Sequence, residues 1–180
     1  MKTIGLIGGM SWESTAVYYK LINEAIRDRF GGLRSGKVIL NSVDFDEVVR
    51  MQKAGRWDLA TDLLGEAGAG LKRAGADCAL ICTNTMHLIA EPVEEKAGVP
   101  LINIIDVTAE ALKAAGIEKP LLLATRYTME HGFYTERMNR HGITVTTPDA
   151  EGRQLIHDVI FEELCQGKML DTSHARALKR

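Results

Sequence analysis

The chain has 180 residues, of which 46 % are hydrophobic and 26 % are charged, and its formal net charge is −2. These values are ordinary for a globular protein and exclude a disordered tail, a collagen-like rod and a disulfide-dense mini-protein. Lys and Arg are spread along the chain, and no apolar run reaches the roughly 18 residues of a membrane span. We therefore expect a cytoplasmic protein of one domain or two small ones, with neither a nucleic acid nor a membrane as partner.

Short β-branched runs alternate with longer amphipathic runs along the chain. The pattern predicts strands at residues 3–7, 38–40, 78–81, 101–104, 121–124 and 143–146. It predicts helices at residues 17–26 (stopped by the glycines at 31 and 32), 57–74, 87–97, 107–115, 129–140 and 155–164. Strands that alternate with helices predict an α/β fold with parallel sheets flanked by helices.

The alternation restarts near Leu101, which predicts two α/β domains at residues 1–100 and 101–180. The second set ends in a helix-like piece at residues 172–180.

Two glycine-rich segments resemble nucleotide-binding motifs but lack essential residues. The run Gly5-Leu6-Ile7-Gly8-Gly9 has Ile where a dinucleotide fingerprint needs its second glycine, so we expect a tight strand-to-helix turn instead. Residues 31–37 resemble a phosphate loop, but they follow a helix, precede a strand and continue with Val38 in place of Ser or Thr. We interpret them as a surface connection.

The cysteines are Cys78, Cys82 and Cys165. Their odd number argues against a closed disulfide framework, and no Cys/His cluster has the spacing of a zinc site, so no metal is expected.

The segment Cys82-Thr83-Asn84-Thr85-Met86-His87 lies at the end of the third predicted strand and opens a helix. Ligands bind at the carboxyl ends of strands in such sheets, and a thiol at a helix N-terminus has a lowered pKa. The hydroxyl and amide groups that follow Cys82 could hold a carboxylate. Alternatively, Cys82 is a buried small hydrophobe and Thr83 or Asn84 caps the helix. His87 is interpreted as a capping or packing residue rather than as the base of a cysteine hydrolase.

Two motifs in order resemble the aspartate/glutamate racemase superfamily, in particular its aspartate and broad-specificity amino-acid racemase branch. They are residues 5–15 (GLIGGMSWEST) and residues 82–87 (CTNTMH). Residues 41–45, 50–52, 125–129 and 161–165 are also similar.

The resemblance implies two pseudo-symmetric α/β domains with a cleft between them. It implies racemisation of a small amino-acid substrate without pyridoxal phosphate or metal, commonly by a homodimer. In that mechanism one cysteine per domain exchanges a proton at the substrate Cα, and Cys82 is the first of the pair. The implied α-carboxylate ligands are Thr83, Asn84, Thr85 and Thr125. Met10 and Gln52 would line the pocket, with Gln52 near the distal group, and Arg50 could meet a second carboxylate.

The chain departs from the family pattern after these motifs. The family continues with a further strand and helices, so the resemblance implies that the second domain, residues 101–180, is incomplete in this chain. It has no Gly-Cys-Thr segment at a later strand end, and Cys165 falls beside a predicted helix. We expect either a fragment of a longer protein or a natural variant with one catalytic thiol. The alternative functions are a single-cysteine decarboxylase or isomerase of the same superfamily, and an inactive carboxylate-binding remnant.

Overall fold

The computed structural model describes residues 1–168 and 170. The chain divides into two compact units, Met1–Ile102 and Asn103–Arg180. The helix-like piece expected at residues 172–180 lies outside the described residues. Among the described residues, no helix is long and apolar enough to cross a membrane.

The first unit is built on a parallel three-stranded sheet. Its strands are β1 (Ile4–Gly8), β2 (Val38–Ser42) and β3 (Cys78–Ile81), in the order β2-β1-β3. Ile7 of β1 pairs with Asn41 of β2 and with Ile81 of β3. Because β1 is the central strand, most of its residues are buried, as its continuous apolar run predicts.

The helices of this unit follow the strands in chain order. They are α1 (Trp12–Phe30), α2 (Phe45–Lys53), α3 (Trp57–Arg73) and α4 (Ala90–Ala97), with a 3-10 helix over Thr85–Ile89 before α4. The parallel sheet flanked by helices confirms the predicted α/β class. The segment from Gly31 to Ser35 is exposed, as expected of a surface connection.

Small residues let α3 pack closely against both β1 and α4. A Cβ atom on Gly68 would lie 2.5 Å from the Cβ of Ala97 and 3.4 Å from Ile7 Cδ1. The buried core around this contact includes Val48, Leu64, Leu71, Ile81, Met86 and Val93. The core therefore lies on the α3 side of the sheet and extends to Met86, four residues beyond Cys82.

The helix α2 was not expected from the sequence pattern. Asp44 caps it by accepting a hydrogen bond from the N–H of Asp46 at 3.0 Å. The helix predicted at residues 87–97 also differs, because its first turns form the 3-10 helix and α4 begins only at Ala90.

The second unit contains α5 (Ile104–Ala114), α6 (Arg126–Glu130), α7 (Phe133–Arg140) and α8 (Ala150–Asp158). A π-helical turn at Val159–Glu163 and a 3-10 turn at Leu164–Gln166 follow α8. Its main buried cluster consists of Ile105, Ala109, Tyr134, Met138 and Ile143.

The three strands predicted at residues 101–104, 121–124 and 143–146 are shorter in the structure than expected. Leu101 forms one isolated parallel bridge to Ala79, and the Asn103 side chain caps α5 by accepting from Ile105 N–H at 2.9 Å. The helix therefore begins where the strand was expected to continue. The other two predicted strands are reduced to a parallel bridge between Leu121 and Thr146.

Two predicted helices of this unit also have different limits. The helix expected at residues 129–140 is split into α6 and α7 at Gly132, whose φ is +79°. The helix expected at residues 155–164 begins at Ala150, because Asp149 caps it by accepting from Gly152 N–H at 2.8 Å.

Candidate active site

Three loops meet at the carboxyl edge of the first unit's sheet. The Cys82 N–H donates to Ile7 O at 2.9 Å, and the Val43 N–H donates to Gly8 O at 3.0 Å, so strand-like pairing continues past β2 and β3. The residues after all three strands therefore lie at one edge, where parallel α/β sheets bind ligands. Met10, Asp44 and Cys82 lie in these loops.

The turn after β1 needs its glycines for packing. Gly9 has a φ of +92°, and a Cβ atom on it would overlap the carbonyl of Val43. A Cβ atom on Gly8 would overlap the side chain of Thr15. The tight turn predicted at Gly8-Gly9 is confirmed, and it lets the β1 loop approach the β2 loop closely.

Hydroxyl groups fix the first turn of α1 against this edge. Thr15 Oγ1 accepts from Gly9 N–H at 2.9 Å and donates to Ser11 O at 2.9 Å. Ser14 Oγ donates to the carbonyl oxygen of Cys82 at 3.3 Å. The motif at residues 5–15 thereby contacts the segment that carries Cys82.

Cys82 is fully buried, and burial raises the pKa of its thiol to about 12. The sequence-based expectation of a lowered thiol pKa is therefore wrong for the folded chain. The physical cause is desolvation, which disfavours the thiolate. The following 3-10 helix, Thr85–Ile89, is also too short to give the N-terminal dipole of a long α-helix.

The three residues after Cys82 differ in exposure. Thr83 is half-buried, Asn84 is exposed and Thr85 is buried. Asn84 occupies the cap position of the 3-10 helix, but its side chain makes no capping hydrogen bond in this part of the chain. The alternative in which Asn84 serves only as a helix cap is therefore not supported.

His87 is buried and holds the turn together. Its ring Nδ1–H donates to Thr83 O at 2.8 Å, and its backbone N–H donates to Asn84 O at 3.0 Å. These contacts agree with the interpretation of His87 as a packing and turn residue.

Gln52 and Arg50 are two residues apart on α2, about 200° around the helix axis. Gln52 is 6 % exposed, and its Nε2 donates to Met86 Sδ at 3.0 Å. The Arg50 side chain is 72 % exposed, and its Nη2 lies 2.6 Å from Asp46 Oδ2. The structure therefore brings Gln52, and not Arg50, into contact with the segment that carries Cys82.

Met10 is buried in the same core cluster as Met86.

Thr125 lies in the second unit, where it caps α6 by accepting from Thr128 N–H at 3.3 Å. A cavity of about 130 Å³ in the second unit is lined by Arg126, Tyr127, Glu130, His131 and His157. Burial lowers the pKa of the His157 ring.

Sequence reasoning assigned no role to Met86 or Ser14, although both belong to the motifs it identified. Met86 contacts Gln52 from a distant part of the chain, and Ser14 contacts the backbone of Cys82. Neither contact has a local sequence signal, because the partners are 34 and 68 residues apart. Among residues 1–168 and 170, His, Cys, Asp and Glu side chains form no group of three that could hold a metal ion.

The comparisons with known proteins agree with the resemblance seen in the sequence. The profile of the Asp/Glu/hydantoin racemase family matches residues 7–179. A candidate Asp/Glu racemase from Yersinia pestis is 49 % identical, with a TM-score of 0.88 over 99 % of this chain and 80 % of that one. An aspartate racemase homologue from Pyrococcus horikoshii OT3 is 35 % identical, with a TM-score of 0.82 over 99 % and 78 % of the two chains.

The aspartate racemase of Picrophilus torridus, at 24 % identity, has the same fold, with a TM-score of 0.70 over 90 % of this chain and 70 % of that one. The two more similar structures and the family profile cover nearly the whole sequence. This chain belongs to the Asp/Glu/hydantoin racemase family.

Proposed function

We propose that this chain carries the first half of the active site of a cofactor-independent amino-acid racemase of the aspartate/glutamate type, in which Cys82 moves a proton at the substrate Cα and the second catalytic cysteine is missing. The observation that carries the proposal is the position of Cys82: a buried thiol directly after the carboxyl end of β3. Membership of the racemase family supports the same reaction class.

The chemistry explains why hydrogen-bond donors should follow the thiol. The α-proton beside a carboxylate is a very weak acid, so its removal requires fixed donors for the charge that develops on the carboxylate. We propose that Thr83, Asn84 and Thr85 supply these donors, with Thr125 as a further ligand of the α-carboxylate. The Asn84 side chain supports this role, because it makes no hydrogen bond that caps the 3-10 helix Thr85–Ile89.

Burial raises the pKa of Cys82 to about 12, which supports a protonated resting state. We propose that the group is a thiol at neutral pH, so that its first available step is to donate a proton to a carbanion at Cα. To remove the α-proton it must first lose its own proton, which the positive charge of a bound substrate ammonium would favour. In this proposal the other proton transfer belongs to a second group on the opposite face of the substrate.

Neither of the other cysteines is proposed as that second group. Cys78 lies within β3, and Cys165 lies in the 3-10 turn Leu164–Gln166. Neither therefore follows the carboxyl end of a strand as Cys82 does. We propose that the second catalytic cysteine of the family is missing from these 180 residues.

Met10 and Gln52, both of which are buried, are proposed to line the pocket, with Gln52 near the distal group of the substrate. Arg50 stays a proposed partner for a second carboxylate. To take that role it would have to leave Asp46, to which it is ion-paired at the surface.

The proposal is tested by incubating the chain with L- and D-aspartate or glutamate in D₂O. We expect exchange of the α-hydrogen that depends on Cys82, so that Cys82→Ser abolishes it and Cys165→Ser leaves it intact. The expected exchange retains configuration, since one thiol serves one face. Exchange that survives Cys82→Ser, or is lost in Cys165→Ser, would contradict the assignment, and rapid inversion would contradict the missing second thiol.

A single-cysteine decarboxylase is the second candidate, and the protonated state of Cys82 favours it. A reaction that only protonates one face of a carbanion needs one thiol, and a thiol with a pKa of about 12 is in the required form. Release of CO₂ from a disubstituted malonate, with Cys82→Ser as control, distinguishes this reaction. Measurable amino-acid binding without exchange or CO₂ release would instead indicate an inactive carboxylate-binding remnant.

We also propose that the chain acts as a homodimer on its small-molecule substrate in the cytoplasm. Exposed apolar side chains along α1, including Val17, Tyr19 and Leu21, support an interface between copies. Sedimentation of wild type and of Leu21→Lys should give a dimer and a monomer, respectively, and a wild-type monomer would contradict this part of the proposal.

A further inference from the structure

The cavity of the second unit lies between α6 and α8, and the proposed function assigns it no role. Its volume is about 130 Å³, and its lining residues are Arg126, Tyr127, Glu130, His131 and His157. A water molecule takes up about 30 Å³ in the liquid, so the cavity has room for a ligand of roughly four non-hydrogen atoms. Charged and ring side chains line it, which indicates a polar ligand.

The ring of His157 has one nitrogen left for a ligand. Its Nδ1 accepts a hydrogen bond from the backbone N–H of Arg126 at 3.3 Å. A neutral imidazole that accepts at one nitrogen carries its proton on the other, so Nε2–H is a donor. Burial lowers the pKa of the ring, which favours this neutral form at neutral pH. The ring also packs against Phe161 at 4.7 Å and Tyr127 at 6.1 Å between centroids, which limits its rotation.

The Arg126 guanidinium is loosely held at the edge of the cavity. Its Nε–H donates to Glu130 Oε2 at 3.4 Å, and its Nη1–H donates to Gln154 Oε1 at 2.9 Å. The ion pair with Glu130 is long and its arginine side chain is 49 % exposed, so it contributes little and is easily displaced. These bonds use two of the five N–H groups, and the planar fork is suited to bind a carboxylate through two parallel hydrogen bonds.

The charges around the cavity favour an anion. Glu130, the acidic residue of the lining, also accepts from Arg153 Nε at 3.0 Å. One carboxylate is thereby shared by two guanidinium groups, which leaves one excess positive charge in this cluster. Asp158 and Glu162 act on the His157 ring through space, but neither lines the cavity. A negatively charged ligand would therefore meet an incompletely neutralised guanidinium.

We propose that this cavity binds a small carboxylate anion, with Arg126 as its charged ligand and His157 Nε2–H as a second hydrogen-bond donor. An anion of the size of acetate fits the volume, whereas aspartate is roughly twice as large. Phosphate is disfavoured, because its second negative charge would lie beside the Glu130 carboxylate. The inference does not rest on the proposed function, since neither Cys82 nor an amino acid enters it.

A bound anion would join two helices. Arg126 is the first residue of α6, directly after the capping residue Thr125, and His157 lies in the last turn of α8. An anion held by both side chains ties the start of α6 to α8. Because a ligand that binds only the folded state stabilises that state, occupancy of the cavity should slow hydrogen exchange in both helices.

NMR titration of the whole chain with sodium acetate tests the site, with sodium chloride at equal concentration as the control for ionic strength. We expect saturable shifts of the Arg126 backbone N–H and the His157 Nε2–H, with a millimolar dissociation constant, as is typical of so small a ligand. Chloride should give no saturable shift. The absence of a saturable acetate shift would overturn the site, and tighter binding of phosphate than of acetate would overturn the choice of a carboxylate.

Arg126→Gln removes the charged ligand from a partly exposed position. We expect it to weaken acetate binding at least about tenfold, the scale of a lost hydrogen bond to a charged group. Arg140→Gln is the matched control, because it removes the same charge from an exposed arginine of the same unit outside the cavity. Its affinity should stay within about twofold of wild type. Equal weakening by the two variants would indicate general electrostatic attraction and overturn the site.

Glu130→Gln gives a test that a misfolded variant cannot satisfy. The substitution keeps a hydrogen-bond acceptor but removes the negative charge that competes with the ligand for Arg126. We expect acetate to bind about threefold to tenfold more tightly. Unchanged or weaker binding would show that the anion does not lie beside Glu130, which would overturn the assignment of the cavity.

The same titration separates this inference from the proposed function. Acetate should bind equally well to the wild-type chain and to Cys82→Ser. If its affinity falls in Cys82→Ser and not in Arg126→Gln, the anion binds at the candidate active site and the inference fails. If acetate binding depends on Arg126 while exchange at Cα is absent, only the proposed reaction fails.

Discussion

Ser14 Oγ lies 3.3 Å from the carbonyl oxygen of Cys82 and donates a hydrogen bond to it. This contact joins the first turn of α1 to the residue that follows β3, and it is half-buried. The backbone position of the candidate catalytic thiol therefore depends on a side chain 68 residues away.

Replacing Ser14 with Ala should therefore impair Cys82 without removing it. We expect the free energy of unfolding to fall by about 0.5–1.5 kcal/mol, the typical contribution of one hydrogen bond. We also expect slower Cys82-dependent exchange of the α-hydrogen in D₂O, because the thiol is held less firmly. Thr61→Ala removes another hydroxyl-to-carbonyl hydrogen bond of this unit, from Thr61 to Trp57 within α3, and serves as the control. Equal exchange rates in the two variants would contradict a role for Ser14 in the site.

Cys82 should react slowly with alkylating reagents in the folded chain. With a pKa of about 12, only about one thiol in ten thousand is ionised at pH 8, and the thiolate is the nucleophile. Timed labelling with iodoacetamide followed by peptide mapping should show Cys82 modified more slowly than Cys165, which is half-buried. In urea the two rates should become similar. Fast labelling of Cys82 at neutral pH in the folded state would show that its thiol is ionised.

Gly9 should tolerate alanine poorly. The substitution would place a Cβ atom at a φ of +92° and against the Val43 carbonyl. Gly31 is a matched control, because its φ is +69° but a Cβ atom on it would meet nothing within 4 Å. We expect Gly31→Ala to cost about 1–3 kcal/mol, because its φ of +69° with ψ of −179° is a conformation that essentially only glycine adopts. We expect Gly9→Ala to cost at least about 2 kcal/mol more.

Tryptophan fluorescence can measure this difference. The chain has two tryptophans, Trp12 and Trp57, and both lie in the same unit as the two glycines. Denaturant titrations of the Gly9 and Gly31 variants should therefore report the unfolding of that unit. Similar midpoints for the two variants would contradict the close approach of Gly9 to Val43.

Asp106 should stabilise the second unit at neutral pH and lose this effect in acid. Its carboxylate accepts from Arg137 Nε at 2.7 Å and lies 2.8 Å from His141 Nε2. The hydrogen bond from Arg137 lowers the Asp106 pKa to about 2. A lowered carboxyl pKa contributes stability above the ordinary value near 4, and that contribution is lost as the pH falls towards 2.

Asp106→Asn should therefore cost about 1–2 kcal/mol at pH 7, since the Asp106 side chain is 31 % exposed and solvent partly screens the interaction. The difference from wild type should shrink between pH 4 and pH 2. Hydrogen–deuterium exchange of the α5 and α7 amides measures both, and exchange of the α3 amides measures the control variant, whose substitution lies in α3. Asp58→Asn is the control, because Arg56 lowers the Asp58 pKa equally but the Asp58 side chain is 62 % exposed and should contribute little. An Asp106→Asn effect that does not depend on pH would contradict the ion pair as its cause.

Sequence reasoning predicted the elements of the first unit that have strong local signals. The strand at residues 78–81 has the predicted limits, and the helix from Trp57 ends within one residue of its predicted end. The strand is a continuous apolar run and the helix is a strongly periodic one, and both are bounded by glycine or polar residues. The helix Phe45–Lys53 was missed because it is short and its start depends on the Asp44 side chain.

The second unit was predicted less well. Its short extended segments form few hydrogen bonds with one another, and side-chain caps decide where its helices begin. Leu121 and Thr146 meet through one bridge, although each lies in an apolar or β-branched run. Apolar runs of four residues are ambiguous between a strand and other buried segments. Side-chain caps decide where three helices of this unit begin, which shortens or displaces the predicted elements. The capping residues are Asn103, Thr125 and Asp149.

The order of the motifs along the chain determined the α/β class and the racemase family, because these depend on residue types at fixed spacing. The tertiary structure decided the burial of the Cys82 thiol and the partners of the predicted site residues. Burial raises the Cys82 pKa where the local sequence suggested the opposite, and Met86 contacts Gln52 from 34 residues away. Desolvation and contacts between distant segments exist only once the strands have paired and the helices have packed, so neither could be read from spacing.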